Sequence, residues 1–96
     1  MKANLTNLRK ALKACARAHN AEFCDWSNEG QMGVHSDTPA TVCDVQMIMD
    51  AFYGMHDMTE VSWGYVTIWL EEMMVRSKRE VNEELLKMAL PYGTEL

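Results

Sequence analysis

The spacing of apolar residues over the first twenty positions constrains the fold more than any other feature. Leu5, Leu8, Leu12 and Cys15 recur at steps of three, four and three, which places them on one face of an α-helix. The alanines that lie between and beside them have the highest intrinsic helix propensity. The pattern predicts an amphipathic helix over about residues 4–19, whose apolar face must pack against the rest of the chain.

Residues typical of a helix start and of a helix end predict a second helix. Asp37 or Thr38 can cap the first turn, and Pro39 fits that turn because the N–H it lacks would have no helical partner there. Gly54 suits the helix end. Between these limits apolar residues keep the helical period, at Val42, Val45, Ile48, Met49 and Phe52.

Between the two helices, an aromatic segment with Phe23 and Trp26 precedes the turn-forming run Ser-Asn-Glu-Gly at residues 27–30, and an apolar segment follows it. Such a run between apolar segments favours a tight reversal of the chain. The sequence therefore predicts a short β-hairpin over about residues 21–35.

The segment that follows the second helix fits two structures. Asp57 and Glu60 have the spacing of a helix capping box, and residues 70–75 contain no turn-forming residue, so we expect a helix over about 58–76. The alternation of β-branched and aromatic residues instead fits a third strand over 61–69, which is the alternative.

A second capping box, from Ser77 to Glu80, predicts a last helix that ends at Pro91. The expected fold is α+β and mainly helical, with an N-terminal helix, the hairpin and two or three packed helices. Ninety-six residues suit a single compact domain over 1–96. No stretch approaches the roughly 20 apolar residues of a membrane span, so we expect a cytoplasmic protein without a membrane partner.

Charge is divided unevenly along the chain. Residues 21–74 hold ten carboxylates and no Lys or Arg, whereas residues 1–20 hold five basic residues and no acid. Charges of both signs are usually mixed on a protein surface. The division, with a net charge of −5, predicts a cationic partner, since an acidic surface speeds the approach of such a partner.

No motif predicts catalysis or a bound metal. His56 and Asp57 are adjacent, but adjacency alone does not place a base beside its partner, and nucleophile and phosphate-loop motifs are absent. The residues that could hold zinc lack a close ligand pair; they are Cys15, His19, Cys24, His35 and Cys43. We therefore expect a protein that is not an enzyme and has no metal or cofactor.

Two sets of residues are the predicted contacts with the partner. The acidic set is spread over the hairpin and the second helix and consists of Glu22, Asp25, Glu29, Asp37, Asp44 and Asp50. The apolar set lies in a methionine-rich segment, because flexible Met side chains form adaptable binding surfaces. It consists of Tyr53, Met55 and Met58.

These features predict a small acidic binding protein, an inhibitor or regulator that docks on a basic groove of a partner protein such as a nucleic-acid-processing enzyme. In size, acidity and lack of catalytic motifs the chain resembles the short accessory proteins of phages and mobile elements, which act in the host cytoplasm. The alternative is a nucleic-acid-binding regulator that contacts phosphates through a basic face of the first helix. That face consists of Arg9, Lys10, Lys13 and Arg17. The sequence leaves a homodimer open.

Overall fold

The computed structural model describes residues 1–55 and 57–90. Over these residues the chain forms four α-helices and one four-stranded antiparallel sheet, which confirms the α+β class. The expectation that helices dominate is met only roughly, because the sheet has four strands where one hairpin was predicted. In chain order the elements are α1 (Leu5–Ala18), β1 (Phe23–Trp26), β2 (Gln31–Val34), α2 (Pro39–Tyr53), β3 (Thr59–Ser62), β4 (Tyr65–Trp69), α3 (Glu72–Val75) and α4 (Glu83–Ala89).

Helix α1 forms where the apolar spacing predicts it. Asn4 caps its first turn, because its side-chain oxygen accepts a hydrogen bond of 2.8 Å from the backbone N–H of Asn7. Leu8, Leu12 and Cys15 are fully buried. The apolar stripe of this helix is therefore part of the core.

Helix α2 also begins and ends at the predicted residues. The hydroxyl of Thr38 accepts a hydrogen bond of 3.3 Å from the N–H of Thr41, so Thr38 is the cap and Asp37 is not. Gly54 ends the helix in the left-handed region at φ 69°, which glycine adopts without steric cost. The residues that this helix contributes to the core include Val45, Ile48, Met49 and Phe52.

The hairpin predicted over 21–35 is confirmed as β1 paired with β2. The register runs from Phe23 opposite Val34 to Trp26 opposite Gln31. A short 3₁₀ turn at residues 27–29 joins the strands.

The helix predicted over 58–76 is wrong. Residues 59–62 and 65–69 form the antiparallel strands β3 and β4. The turn between them consists of Trp63 and Gly64, whose φ angles are 55° and 80°. Two positive φ values in a two-residue loop are typical of the type I′ turn, which matches the twist of the flanking strands. The alternative prediction, a single strand over 61–69, is not met either, because this turn divides the range between β3 and β4.

The last predicted helix begins later than expected. Ser77 caps no helix; its hydroxyl accepts a hydrogen bond of 3.2 Å from the N–H of Arg79. Glu80 forms an isolated β-bridge with Lys2. Helix α4 instead begins at Glu83, after the cap residue Asn82. The predicted end at Pro91 lies outside the described residues.

The strand order is β1-β2-β4-β3, with antiparallel pairing throughout. One face of the sheet carries the fully buried side chains of Met32, Val34, Val66 and Ile68, which join α1 and α2 in the core. Helix α4 packs against α2. The opposite face is therefore the one on which a partner could contact the sheet.

Candidate functional site

The residues that alternate with the buried strand residues define a surface that we call the open face. Strand register arranges them in three rows across the sheet. Gly33, which has no side chain, is buried, and the other residues are half-buried or exposed. The rows are Trp26, Gln31 and Trp69; Cys24, Gly33, Thr67 and Glu60; and Glu22, His35, Tyr65 and Ser62.

Three rings form a continuous aromatic cluster on the open face. The ring centroids of Trp26 and Tyr65 are 5.8 Å apart at a 53° tilt. The rings of Tyr65 and His35 are stacked, 4.2 Å apart and within 7° of parallel. Gly33 leaves room for this cluster, since a Cβ atom there would lie 3.0 Å from Cζ3 of Trp26. The lack of a side chain at this position lets the indole lie against the strand.

A fourth ring lies beside a carboxylate. The indole Nε1 of Trp69 donates a hydrogen bond of 3.0 Å to Oε2 of Glu60 on the neighbouring strand. The Trp69 side chain is 41% exposed. The bond therefore holds an accessible aromatic surface next to a negative charge.

The electrostatic character of the open face is acidic. Glu22 and Glu60 lie at opposite margins of the sheet, and the open face contains no Lys or Arg. Burial and the charge of Glu22 raise the pKa of the Cys24 thiol above its ordinary value, against the opposing effect of a hydrogen bond with Tyr65. The raised pKa favours the protonated thiol at neutral pH.

The turn at the end of this face exposes a tryptophan. Trp63 is 95% exposed and has a positive φ. Asn, Asp and Gly are the residues that type I′ turns favour at this position. Trp63 therefore pays a conformational cost without burying its ring in the described part of the chain.

The structure does not gather the acidic residues predicted as contacts into one surface. Glu22 belongs to the open face, and Asp25 lies on the opposite side of β1, where Arg9 contacts it. Asp44 accepts a hydrogen bond of 2.7 Å from Nε2 of His19 when that nitrogen is protonated. The other three lie elsewhere: Glu29 in the turn after β1, Asp37 exposed before α2, and Asp50 in a groove between α2 and α4 that is also lined by Cys43, Gln46, Met47 and Leu85.

The apolar residues predicted as contacts are mostly covered. Tyr53 is only 5% exposed and belongs to the core. Met55 and Met58 are half-buried and pack against the core. The three residues therefore do not form the exposed apolar patch that the sequence predicted.

The basic face of α1 is partly occupied within the chain. Nε of Arg9 lies 2.9 Å from Oδ2 of Asp25, and its Nη2 donates to the hydroxyl of Ser27. Hydrogen bonds from Ser27 and the charge of Arg9 hold the pKa of Asp25 below its usual value. Lys13 lies 5.9 Å from the centroid of the Phe23 ring, while Lys10 and Arg17 are exposed.

The described residues hold no group of three or more His, Cys, Asp or Glu side chains placed to bind a metal ion. The three cysteines are free thiols. Cys15 is fully buried, and burial, with a smaller contribution from Asp44, raises its pKa to about 12. None of the helices in residues 1–55 and 57–90 has the length and apolar character needed to cross a membrane.

A scan against protein-family models, a search of the curated proteins and a search of the solved structures each find no match for this chain. Function is therefore inferred from the chemistry of the open face.

Sequence analysis missed the aromatic residues of the open face as a group. Tyr65, Thr67 and Trp69 alternate with buried Val66 and Ile68, which is the period of a half-buried strand. That signal supports the strand alternative over 61–69, whereas the capping-box spacing at Asp57 favoured a helix over 58–76. The pairing of β4 with β2 brings Tyr65 near Trp26. No pattern of residues within β4 indicates that it pairs with this strand.

Proposed function

We propose that this protein is a non-catalytic binding protein that recognises a basic segment of a partner protein through the open face of its sheet. One observation supports the proposal above all others. The open face combines three accessible aromatic residues with two carboxylates and contains no Lys or Arg. They are Trp26, Tyr65 and Trp69, with Glu22 and Glu60.

This combination suits a cationic ligand for two physical reasons. The face of an aromatic ring attracts a cation through its quadrupole, by about 0.5–1 kcal/mol at an exposed site. Carboxylates at the margin of an interface steer a cationic partner and speed its association. The rings also supply apolar area at little cost in side-chain entropy, because each has only two rotatable bonds. Exposed Trp63, at the turn beside Ser62 and Tyr65, can add a further apolar contact.

Nucleic acid is the less favoured ligand because aromatic and basic residues lie on different sides of the sheet. A single strand that stacked its bases on the open face would bring phosphates near Glu22 and Glu60. The basic residues of α1 lie in the helical layer, and Arg9 is already paired with Asp25. Phosphate binding is strongest where Lys or Arg lie beside the stacking rings, and the open face contains neither.

A non-catalytic binding protein can act by blocking the surface of its partner. We therefore propose an inhibitor or regulator that occupies a basic surface of its partner. The sequence prediction of a basic partner is kept, but the contact residues are now those of the open face.

The first test replaces the two open-face carboxylates. Glu22→Gln with Glu60→Gln should weaken binding of a mixed Arg, Lys and Gly peptide by about threefold to tenfold, since exposed ion pairs contribute roughly 0.2–1 kcal/mol each. Gln at position 60 still accepts the hydrogen bond of Trp69. Isothermal titration calorimetry at low salt measures the affinity, and added salt should reduce the difference.

The matched control is Glu83→Gln with Glu84→Gln, which removes two exposed charges from α4, in the helical layer. It should change the affinity little. Absence of peptide binding, or an equal loss in the control, would contradict the proposal. Binding of a single-stranded oligonucleotide that depends on Trp26 and Trp69 would favour the nucleic-acid alternative instead.

A further inference from the structure

We infer that the open face selects arginine side chains over lysine side chains. This inference rests on the proposed function and specifies the chemical group that the face recognises. It depends on how the rings and carboxylates are placed relative to one another.

The rings of the open face form a flat surface. The stacked pair Tyr65 and His35 forms a flat double layer, and Trp26 leans against it at 53°. A guanidinium is planar and weakly hydrated, so it can lie parallel to a ring and contact it over its whole area. An ammonium group is compact and strongly hydrated, so the same contact would cost it more solvation.

The carboxylate beside Trp69 is that of Glu60. Oε2 of Glu60 already accepts a hydrogen bond from the indole, at 3.0 Å. A carboxylate has about four lone-pair sites, so Glu60 retains acceptor capacity for a ligand. Because Glu60 contacts the edge of the Trp69 indole, a guanidinium that stacks on this ring has its own N–H edge close to the carboxylate. It can therefore stack and donate to Glu60 at the same time.

A glutamate also lies beside a ring-bearing residue at the other margin of the sheet. Glu22 is in the row of His35 and Tyr65, because the backbone N–H of His35 donates to the carbonyl of Glu22 at 2.8 Å. A ring and a carboxylate-bearing residue are thus neighbours in the sheet at both margins of the open face. Arginine is the side chain whose fork of donors and flat π-system match both components.

The test compares two peptides that differ only in having Arg or Lys at the same positions. The Arg peptide should bind about fivefold more tightly than the Lys peptide, a difference in the range of a cation–π contact. Isothermal titration calorimetry on the full chain at one salt concentration gives both affinities.

Trp69→Leu and Tyr65→Leu, made separately, assign the selectivity to the rings. Each keeps an apolar side chain but removes the π-face, so the ratio of Arg to Lys affinity should fall towards one. Met73→Leu, at an exposed position on α3, is the control and should keep the ratio. Thermal unfolding followed by circular dichroism verifies that each variant is folded. If only one of the two ring variants folds, that variant is enough to test whether the rings cause the selectivity.

The outcomes separate this inference from the proposed function. Equal affinity for the two peptides would overturn arginine selectivity and leave the proposed function standing. Failure of both peptides to bind would overturn both. Selectivity that persists unchanged in Trp69→Leu and Tyr65→Leu would show that the rings do not cause it, and would overturn the inference.

Discussion

Trp63 is the residue at which local preference and observed structure disagree most. A non-glycine residue in the left-handed region costs roughly 1–2 kcal/mol, and Asn lowers that cost through local hydrogen bonds. Trp63 has φ 55° and keeps its ring in solvent. Nothing in the described part of the chain offsets the cost, so replacing the residue should relieve it.

We expect Trp63→Asn to raise the free energy of unfolding by about 0.5–1 kcal/mol, because Asn tolerates the turn conformation. Urea unfolding followed by circular dichroism measures the change. Trp63→Ala is the matched control, since it removes the ring but keeps the unfavourable φ, and its stability should stay near that of the parent. Equal stabilisation by both substitutions would show that the exposed ring, and not the backbone, carries the cost.

Helix caps show which sequence signals fix an element and which do not. Asp37 and Thr38 were both able to cap α2, and the structure assigns the cap to Thr38. The capping boxes expected at Asp57 and at Ser77 do not open helices. Pro39 and Gly54 bound α2 on both sides, whereas neither failed box has a proline in the first turn that follows it.

Thr38→Ala should lower the free energy of unfolding by about 1 kcal/mol, because the N–H of Thr41 loses its acceptor. Asp37→Ala, one residue earlier and exposed, should change it by much less. Urea unfolding of the two variants under identical conditions makes the comparison. A larger effect at Asp37 would mean that its carboxylate, and not the Thr38 hydroxyl, stabilises the helix start.

Elements with local signals were predictable, and contacts between distant strands were not. The period of α1, the limits of α2 and the turn at 27–30 all lie within a few residues of what they determine. The β3–β4 turn is built on a residue that rarely adopts its conformation, so Trp63 and Gly64 did not stand out as a turn. The candidate site depends on β4 pairing with β2, more than 30 positions apart in sequence. Acidity and a basic partner could be anticipated, but the aromatic contact surface could not.

On the scale of the whole molecule, the core buries two groups that ionise at high pH. Burial raises the pKa of Tyr53 from 10.0 to about 12, and its hydroxyl has no hydrogen-bond partner among the described residues. The pKa of Cys15 is raised from 9.0 to about 12 for the same reason, with a smaller contribution from Asp44. At a pH between the ordinary and the raised pKa values, these groups lose their protons in the unfolded chain but keep them in the folded chain. Stability is therefore fully present below the ordinary values and falls as the pH rises above them.

Tyr53→Phe should leave stability at neutral pH unchanged or slightly higher, since it removes a buried hydroxyl without a partner. Above about pH 10, where tyrosine ionises in the unfolded chain, the variant should lose less stability than the parent. Thermal unfolding across neutral and alkaline pH measures this, and the raised pKa values of Cys15 and Cys24 contribute to the loss that remains. An identical alkaline decline in both proteins would contradict a raised pKa at Tyr53.

All three tryptophans lie on the open face or in the turn beside it: Trp26, Trp63 and Trp69. The intrinsic fluorescence of the chain therefore comes from its candidate recognition surface and not from its core, which holds Phe52 and Tyr53 as its aromatic residues. Covering that surface would shift the emission to shorter wavelength and shield it from soluble quenchers. Tryptophan fluorescence therefore indicates directly whether the open face is occupied.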